Sequence, residues 1–150
     1  MIKILNSKEK QEILDNLKSR FGIEKLNGAI AKIGEEKLFL FSGSLTEKEI
    51  RQLEAIAFVE RIGVYFAKII GNEVKLSIEG VFLLKSQIKK NIFELNKEQV
   101  SDWMKGQDLN LVSGKKGFII MKYGNDFLGS GKASENKIGN FITKSRRVKK

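Results

Sequence analysis

The apolar residues of this chain come in short runs closed by glycine turns, and no run approaches the roughly 20 residues that a membrane span needs. Short strands and amphipathic helices are what such punctuation builds. Ala29-Ile30-Ala31-Lys32-Ile33 and Lys37-Leu38-Phe39-Leu40-Phe41 flank Gly34-Glu35-Glu36 and read as a hairpin. Ahead of it, Asn6 followed three residues later by Glu9 forms a capping box, and Ile13, Leu14, Leu17 and Phe21 recur at helical spacing until Gly22. A helix over about 7 to 21 is expected. Thr46 with Glu49 makes a second capping box, and Ile50, Leu53 and Ala57 lay an apolar stripe on a helix of about 46 to 57. Residues 62 to 69 then read as a strand ending at the Gly71-Asn72 turn.

Beyond that turn, Val74-Lys75-Leu76-Ser77-Ile78 alternates as a half-buried strand, and 79 to 87, with Val81, Phe82 and Leu84, reads as a short packed helix. Residues 91 to 95 form a strand. Asn96 caps a helix whose apolar face is Val100, Trp103 and Met104 and whose stop is Gly106. Strands follow at 109 to 112, 117 to 123, 127 to 133, 139 to 143 and 145 to 148, with Gly124-Asn125-Asp126 as a hairpin turn. Five short strands suggest a barrel. At 150 residues the chain suits one domain or two small ones. It has no proline and no flexible linker, so two packed α+β units are expected, 1–72 and 73–150.

Charge is the first clue to function. The chain holds 28 Lys and Arg against 18 Asp and Glu, a formal charge of +10. Residues 1 to 75 carry 13 basic and 11 acidic side chains, whereas 76 to 150 carry 15 and 7. The surplus therefore belongs to the second half. From Lys137 to the end, Lys144, Arg146, Arg147, Lys149 and Lys150 follow without an acidic residue among them. A polyanion is the natural partner, and the adjacent Arg146-Arg147, two of only five arginines, favour nucleic acid because guanidinium groups pair phosphates and stack on bases. With no cysteine and no histidine there is no disulfide, no zinc site of the usual kind, no thiol nucleophile and no imidazole base. No enzyme activity, cofactor or metal is expected. The first residues lack the long apolar middle of a signal peptide, so the cytoplasm is the expected location, or the nucleolus in a cell with a nucleus.

Gly129-Ser130-Gly131-Lys132-Ala133-Ser134 invites a phosphate-loop reading, but Asp126 stands where a Walker loop needs its first glycine and Ala133 where it needs Ser or Thr. Gly129 and Gly131 are expected instead to let one strand bend past another backbone, with Lys132 free to face RNA. Glu35 and Glu36 in a turn, and Glu47 and Glu49 at a helix start, read as solvated structural carboxylates. Tyr123, Phe127 and Phe141 have the chemistry to stack on bases. Strand 117–123 is apolar on both faces, which puts Phe118 and Phe127 in the core and leaves Tyr123 open between the two roles. Trp103 belongs to the core. Phe141, Ile142 and Val148 interrupt the terminal charges, so a folded basic surface is expected there, with Arg146 held on a strand.

The stretch from Leu95 to Val112, then Gly117 to Tyr123 and Phe127 to Ala133, with Lys105-Gly106 after the helix and Gly129 to Gly131 in the final strand, resembles a PUA domain. That resemblance implies a small pseudo-barrel with helices, of the kind found in RNA-modifying enzymes and ribosome-assembly factors. An N-terminal helix, a hairpin, a second helix and the strand Ile62 to Lys68, all ahead of such a domain, resemble the NIP-seven family of ribosome-biogenesis factors. This implies a pre-PUA domain at 1–72 that docks a protein partner, and a PUA domain at 73–150 that binds ribosomal RNA or its precursor. The segment from Asn140 to Val148 is similar instead to the closing segment of PUA-like domains attached to RNA 5-methylcytosine methyltransferases, which implies an accessory role delivering RNA to a separate methyltransferase or pseudouridine synthase. The resemblance to the NIP-seven family implies a basic C-terminal RNA-binding surface, which Lys144, Arg146, Arg147, Lys149 and Lys150 could form, and with Lys132 these are the expected RNA-binding residues.

Overall fold

The computed structural model of the protein describes residues 2–41, 46, 48, 49, 51, 52, 63–142 and 144–147. Helix α1 (Ser7–Phe21) begins where the capping box places it. The Glu9 amide donates to Asn6 Oδ1 at 2.8 Å, and the Asn6 amide donates to Glu9 Oε1 at 3.1 Å. Gly22 ends the helix in the left-handed conformation at φ 81°, which only glycine adopts without strain. Strands β2 (Ala29–Ile33) and β3 (Lys37–Phe41) form the expected hairpin. With β1 (Ile2–Ile4), β4 (Val64–Ile70) and β5 (Glu73–Leu76) they make a fully antiparallel five-stranded sheet in the order β1-β2-β3-β4-β5. The capping box at Thr46 is formed, the Glu49 amide donating to Thr46 Oγ1 at 3.2 Å. Ile50, Leu53 and Ala57 of the helix expected there lie outside the described residues, as does Ile62.

The Gly71-Asn72 turn joins β4 to β5 in one hairpin, so the strand expected to open the second unit pairs back onto the first sheet. Ser77 then caps α2 (Ile78–Leu84), its hydroxyl accepting from the Gly80 amide at 2.9 Å and donating to the Tyr65 carbonyl at 2.6 Å. This helix is shorter than the sequence pattern indicates, and its last residues tighten into a 3-10 turn, Lys85–Gln87. It packs against both β4 and β8 (Asp126–Ala133). A Cβ at Gly80 would stand 2.9 Å from the Phe66 carbonyl carbon and nearer still to its oxygen, so the helix reaches this depth only because the residue is glycine.

The second sheet has the order β6-β7-β8-β9, with β6 (Ile92–Glu94), β7 (Gly117–Tyr123) and β9 (Ile138–Asn140). Strands β6 and β7 are parallel, and α3 (Lys97–Met104) supplies the crossover that a parallel pair requires. Asn96 and Gln99 cap α3 reciprocally. Two expected strands are corrected. Within 109–112 only Leu109 pairs, as a single bridge to Ile138, and Val112 is 75 % exposed because no neighbouring strand runs beside it. Residues 145–147 are not strand either. Lys144–Arg146 is one 3-10 turn, closed where the Arg147 amide reaches the Lys144 carbonyl, and a turn leaves no ladder to extend.

Strand β7 is apolar on both faces because each face closes a different core. Phe118 and Ile120 join Leu17, Phe21, Phe66, Leu76 and Val81 in a cluster that the first sheet shares. Ile119 and Met121 join Trp103, Leu109, Ile138 and Ile142 in the second. The two sheets are thus one packed α+β body among the described residues. The buried Ser130 hydroxyl of β8, donating to the Leu76 carbonyl of β5 at 2.7 Å, ties them across the seam.

Candidate nucleic-acid interface

Two concave features carry the positive charge. The first is a groove of ≈720 Å³ lined by Arg20, Lys115, Lys116 and Lys132, with Glu73 and Glu135 also in its wall. Its floor is the loop entering β7, where Gly114 and Gly117 take positive φ angles of 74° and 80°. Arg20, in the last turn of α1, fixes that loop from below: its Nε donates to the Phe118 carbonyl at 2.8 Å and its Nη2 to the Lys116 carbonyl. The guanidinium is thereby committed to backbone, and Lys115 and Lys116 are left on a held loop with their ammonium groups available. Lys132 stands opposite Phe118 on β8, its Nζ 5.4 Å from the ring centroid.

The second feature is a cleft of ≈290 Å³ between the sheets, with Tyr65, Lys75, Phe141 and Arg146 in its wall. Burial, and then the like charge of Lys68, hold the half-buried Lys75 ammonium below the usual lysine range. Burial also pushes the Tyr65 hydroxyl up, against the Lys68 charge that draws it down. Lys75 Nζ lies 3.6 Å from the centroid of the Phe141 ring, while Arg146 is ion-paired to Glu79.

The expected site residues are therefore dispersed. Lys132 lies in the groove and Arg146 in the cleft, Lys144 is exposed on the terminal turn, and Lys149 and Lys150 lie outside the described residues. Arg147 has a structural part. Its Nε donates to the Ile142 carbonyl at 2.9 Å, and its side chain covers Gly106. Arg146→Ala should consequently leave the thermal midpoint within about 2 °C, since an exposed ion pair of this kind contributes about 0.5 kcal/mol or less. Arg147→Ala should lower it by about 2–4 °C through one lost hydrogen bond of about 1 kcal/mol. Differential scanning calorimetry of the two single variants checks the contrast.

Gly129 and Gly131 are strand glycines, not a phosphate loop. A Cβ at Gly131 would meet Ile138 at 2.8 Å and Trp103 at 2.9 Å, and one at Gly129 would meet Ile78 at 3.1 Å. Tyr123 is 38 % exposed at the far end of β7, away from the residues of both concave features, and Phe127 packs half-buried on the first core. Sequence reasoning missed Lys75, Lys115 and Lys116. The paired lysines between Gly114 and Gly117 did carry a local signal, a basic pair in a glycine-bounded loop.

Residues 90–148 match the family described as the methyltransferase RsmF PUA domain. A PUA-type domain is present. Its span runs from Lys90 through β6, α3 and β7 to β9 and the terminal turn, and so contains Lys115, Lys116, Lys132, Phe141 and Arg146. The chain is also similar to the ribosomal RNA small subunit methyltransferase F of Psychromonas ingrahamii, 26 % identical over 142 residues. That alignment covers 89 % of this chain, so it reaches past the PUA-type domain into the first sheet, and 28 % of the relative. The chain thus spans little more than a quarter of the relative it matches. Among the described residues no helix is long and apolar enough to cross a membrane, and no group of acidic side chains is placed to hold a metal ion.

Proposed function

We propose that this chain is a non-catalytic RNA-binding module that holds ribosomal RNA for a methyltransferase. The observation that carries the reading is the similarity over 89 % of the chain to a part, 28 %, of a ribosomal RNA methyltransferase. A +10 chain with a basic groove lined mostly by residues of the PUA-type domain supports the RNA half of the reading. The absence of histidine and cysteine from the sequence supports the non-catalytic half. In this reading Lys115, Lys116, Lys132 and Lys144 neutralise phosphates, which positions a strand more than it specifies one. The first sheet then serves as the docking unit toward the enzyme.

A NIP-seven-like assembly factor is the second reading, favoured by the order of helix, hairpin and strand in the first 70 residues. Affinity purification of the tagged intact chain, with sequencing of RNA and mass spectrometry of protein, separates the two. Ribosomal RNA recovered with a methyltransferase is the expected result. Ribosomal precursors without any modification enzyme support assembly, and recovery of no RNA contradicts both.

A further inference from the structure

A row of two rings flanked by two cations runs from the groove to the cleft. Lys132 Nζ lies 5.4 Å from the Phe118 ring, the Phe118 and Phe141 centroids are 6.0 Å apart, and Lys75 Nζ lies 3.6 Å from the Phe141 ring. Lys75 is the unusual member. It is half-buried, and among the described residues no carboxylate pairs with it. Taking an ammonium out of water without a counter-ion is unfavourable, and a ring face offsets only part of that cost.

The rest of the cleft narrows what supplies the missing negative charge. Glu79 is taken up by Arg146, and the Ser77 and Ser130 hydroxyls donate to the Tyr65 and Leu76 carbonyls. What remains toward a ligand is one ammonium, the Tyr65 side chain and the 36 % exposed ring of Phe141. An anion with a flat aromatic body fits that set. At ≈290 Å³ the cleft is at the small end of ligand pockets, about 300–1,000 Å³, which admits one nucleotide and excludes a duplex.

We propose that this cleft receives a single unstacked nucleotide of an RNA strand, its base on Phe141 and its phosphate on Lys75, while the strand continues past Lys132 into the groove. Binding exchanges the Lys75 contact with the ring for a base on the ring and a phosphate on the ammonium. The inference rests on the reading that the chain binds RNA, and adds to it where one nucleotide is held.

The test uses the intact chain, lysine acylation read by mass spectrometry, and three probes: inorganic phosphate, a nucleoside monophosphate and a single-stranded RNA of about ten nucleotides. RNA should protect Lys75 and Lys132 from acylation together, the mononucleotide should protect Lys75 alone at higher concentration, and phosphate should protect neither. Lys75→Met and Phe141→Leu should each weaken RNA binding by about tenfold, with far-UV circular dichroism unchanged. RNA binding that leaves Lys75 unprotected and both variants at full affinity overturns the nucleotide cleft while leaving the RNA reading intact. Protection of Lys75 by phosphate as strong as by RNA overturns the base contact. No RNA binding by the intact chain overturns cleft and function together. The footprint on the unaltered protein decides the matter even if a variant fails to fold.

Discussion

Trp103→Ala should lower stability by about 3–5 kcal/mol, a fall of about 6–20 °C in the thermal midpoint for a chain of this size. Trp103 is wholly buried at the centre of the second core, among Leu95, Leu109, Ile119, Met121 and Ile138. It is also the reason for two features that look like sequence motifs. Its ring lies against Gly131, where a Cβ would come within 2.9 Å, and its carbonyl accepts at 2.8 Å from the Asn140 side chain that anchors β9. Truncation leaves that carbonyl in place but opens a cavity under Gly131 of β8 and Ile138 of β9, which pack around the ring. Trp103→Phe should be much milder. It keeps most of the ring, and it removes an indole Nε1–H that has no hydrogen-bond partner among the described residues, a group whose burial is itself unfavourable. Equal losses for the two variants in thermal denaturation would mean that the cavity is not the dominant effect.

Neutralising Lys115, Lys116 and Lys132 together should weaken single-stranded RNA binding about a hundredfold at 0.1 M salt, because each phosphate contact contributes about 0.7 to the dependence of log affinity on log salt. These three sit on surfaces that need no charge to fold: two on a loop already fixed by Arg20, one exposed on β8. The triple change to glutamine should leave the midpoint within about 2 °C, as expected for exposed charges. A parallel change of Lys8, Lys18 and Lys25, which lie on α1 and just beyond it and outside the groove, is the control. A loss of similar size in the control would assign RNA binding to overall charge instead of to the groove.

What was legible in the sequence was local. The boundaries of α1, β2, β3 and α3 follow from two Asn caps, a glycine stop and glycine turns, each decided within about four residues. The two-sided burial of β7 was legible too, since four consecutive apolar residues suit no half-exposed strand. Strand length failed where pairing is set by distant partners. Leu109-Asn110-Leu111-Val112 alternates like a strand, yet only Leu109 finds a neighbour.

The site was legible in sign but not in place. A basic second half is plain from the charges, and Lys132 lies in the groove the structure reveals. The adjacent arginines were the natural choice, but one is paired with Glu79, 67 residues away, and the other braces the backbone at Ile142. Lys75 reads in sequence as an ordinary outward residue of a half-buried strand. Only the packing of β5 beside β8, fastened at Ser130, places it against Phe141. Arg20 is likewise invisible locally, because its two acceptors lie almost 100 residues downstream.

The central claim, that this chain holds RNA through its groove, is tested most directly by fluorescence anisotropy of a labelled single-stranded ribosomal RNA fragment titrated with the intact chain across a salt series. The account predicts a linear fall of log affinity with log salt, with a slope steeper than about 2 for more than three phosphates neutralised, and a slope shallower by about 2 once the three groove lysines are glutamine. Absence of binding at low salt, or the same slope in both proteins, would contradict it.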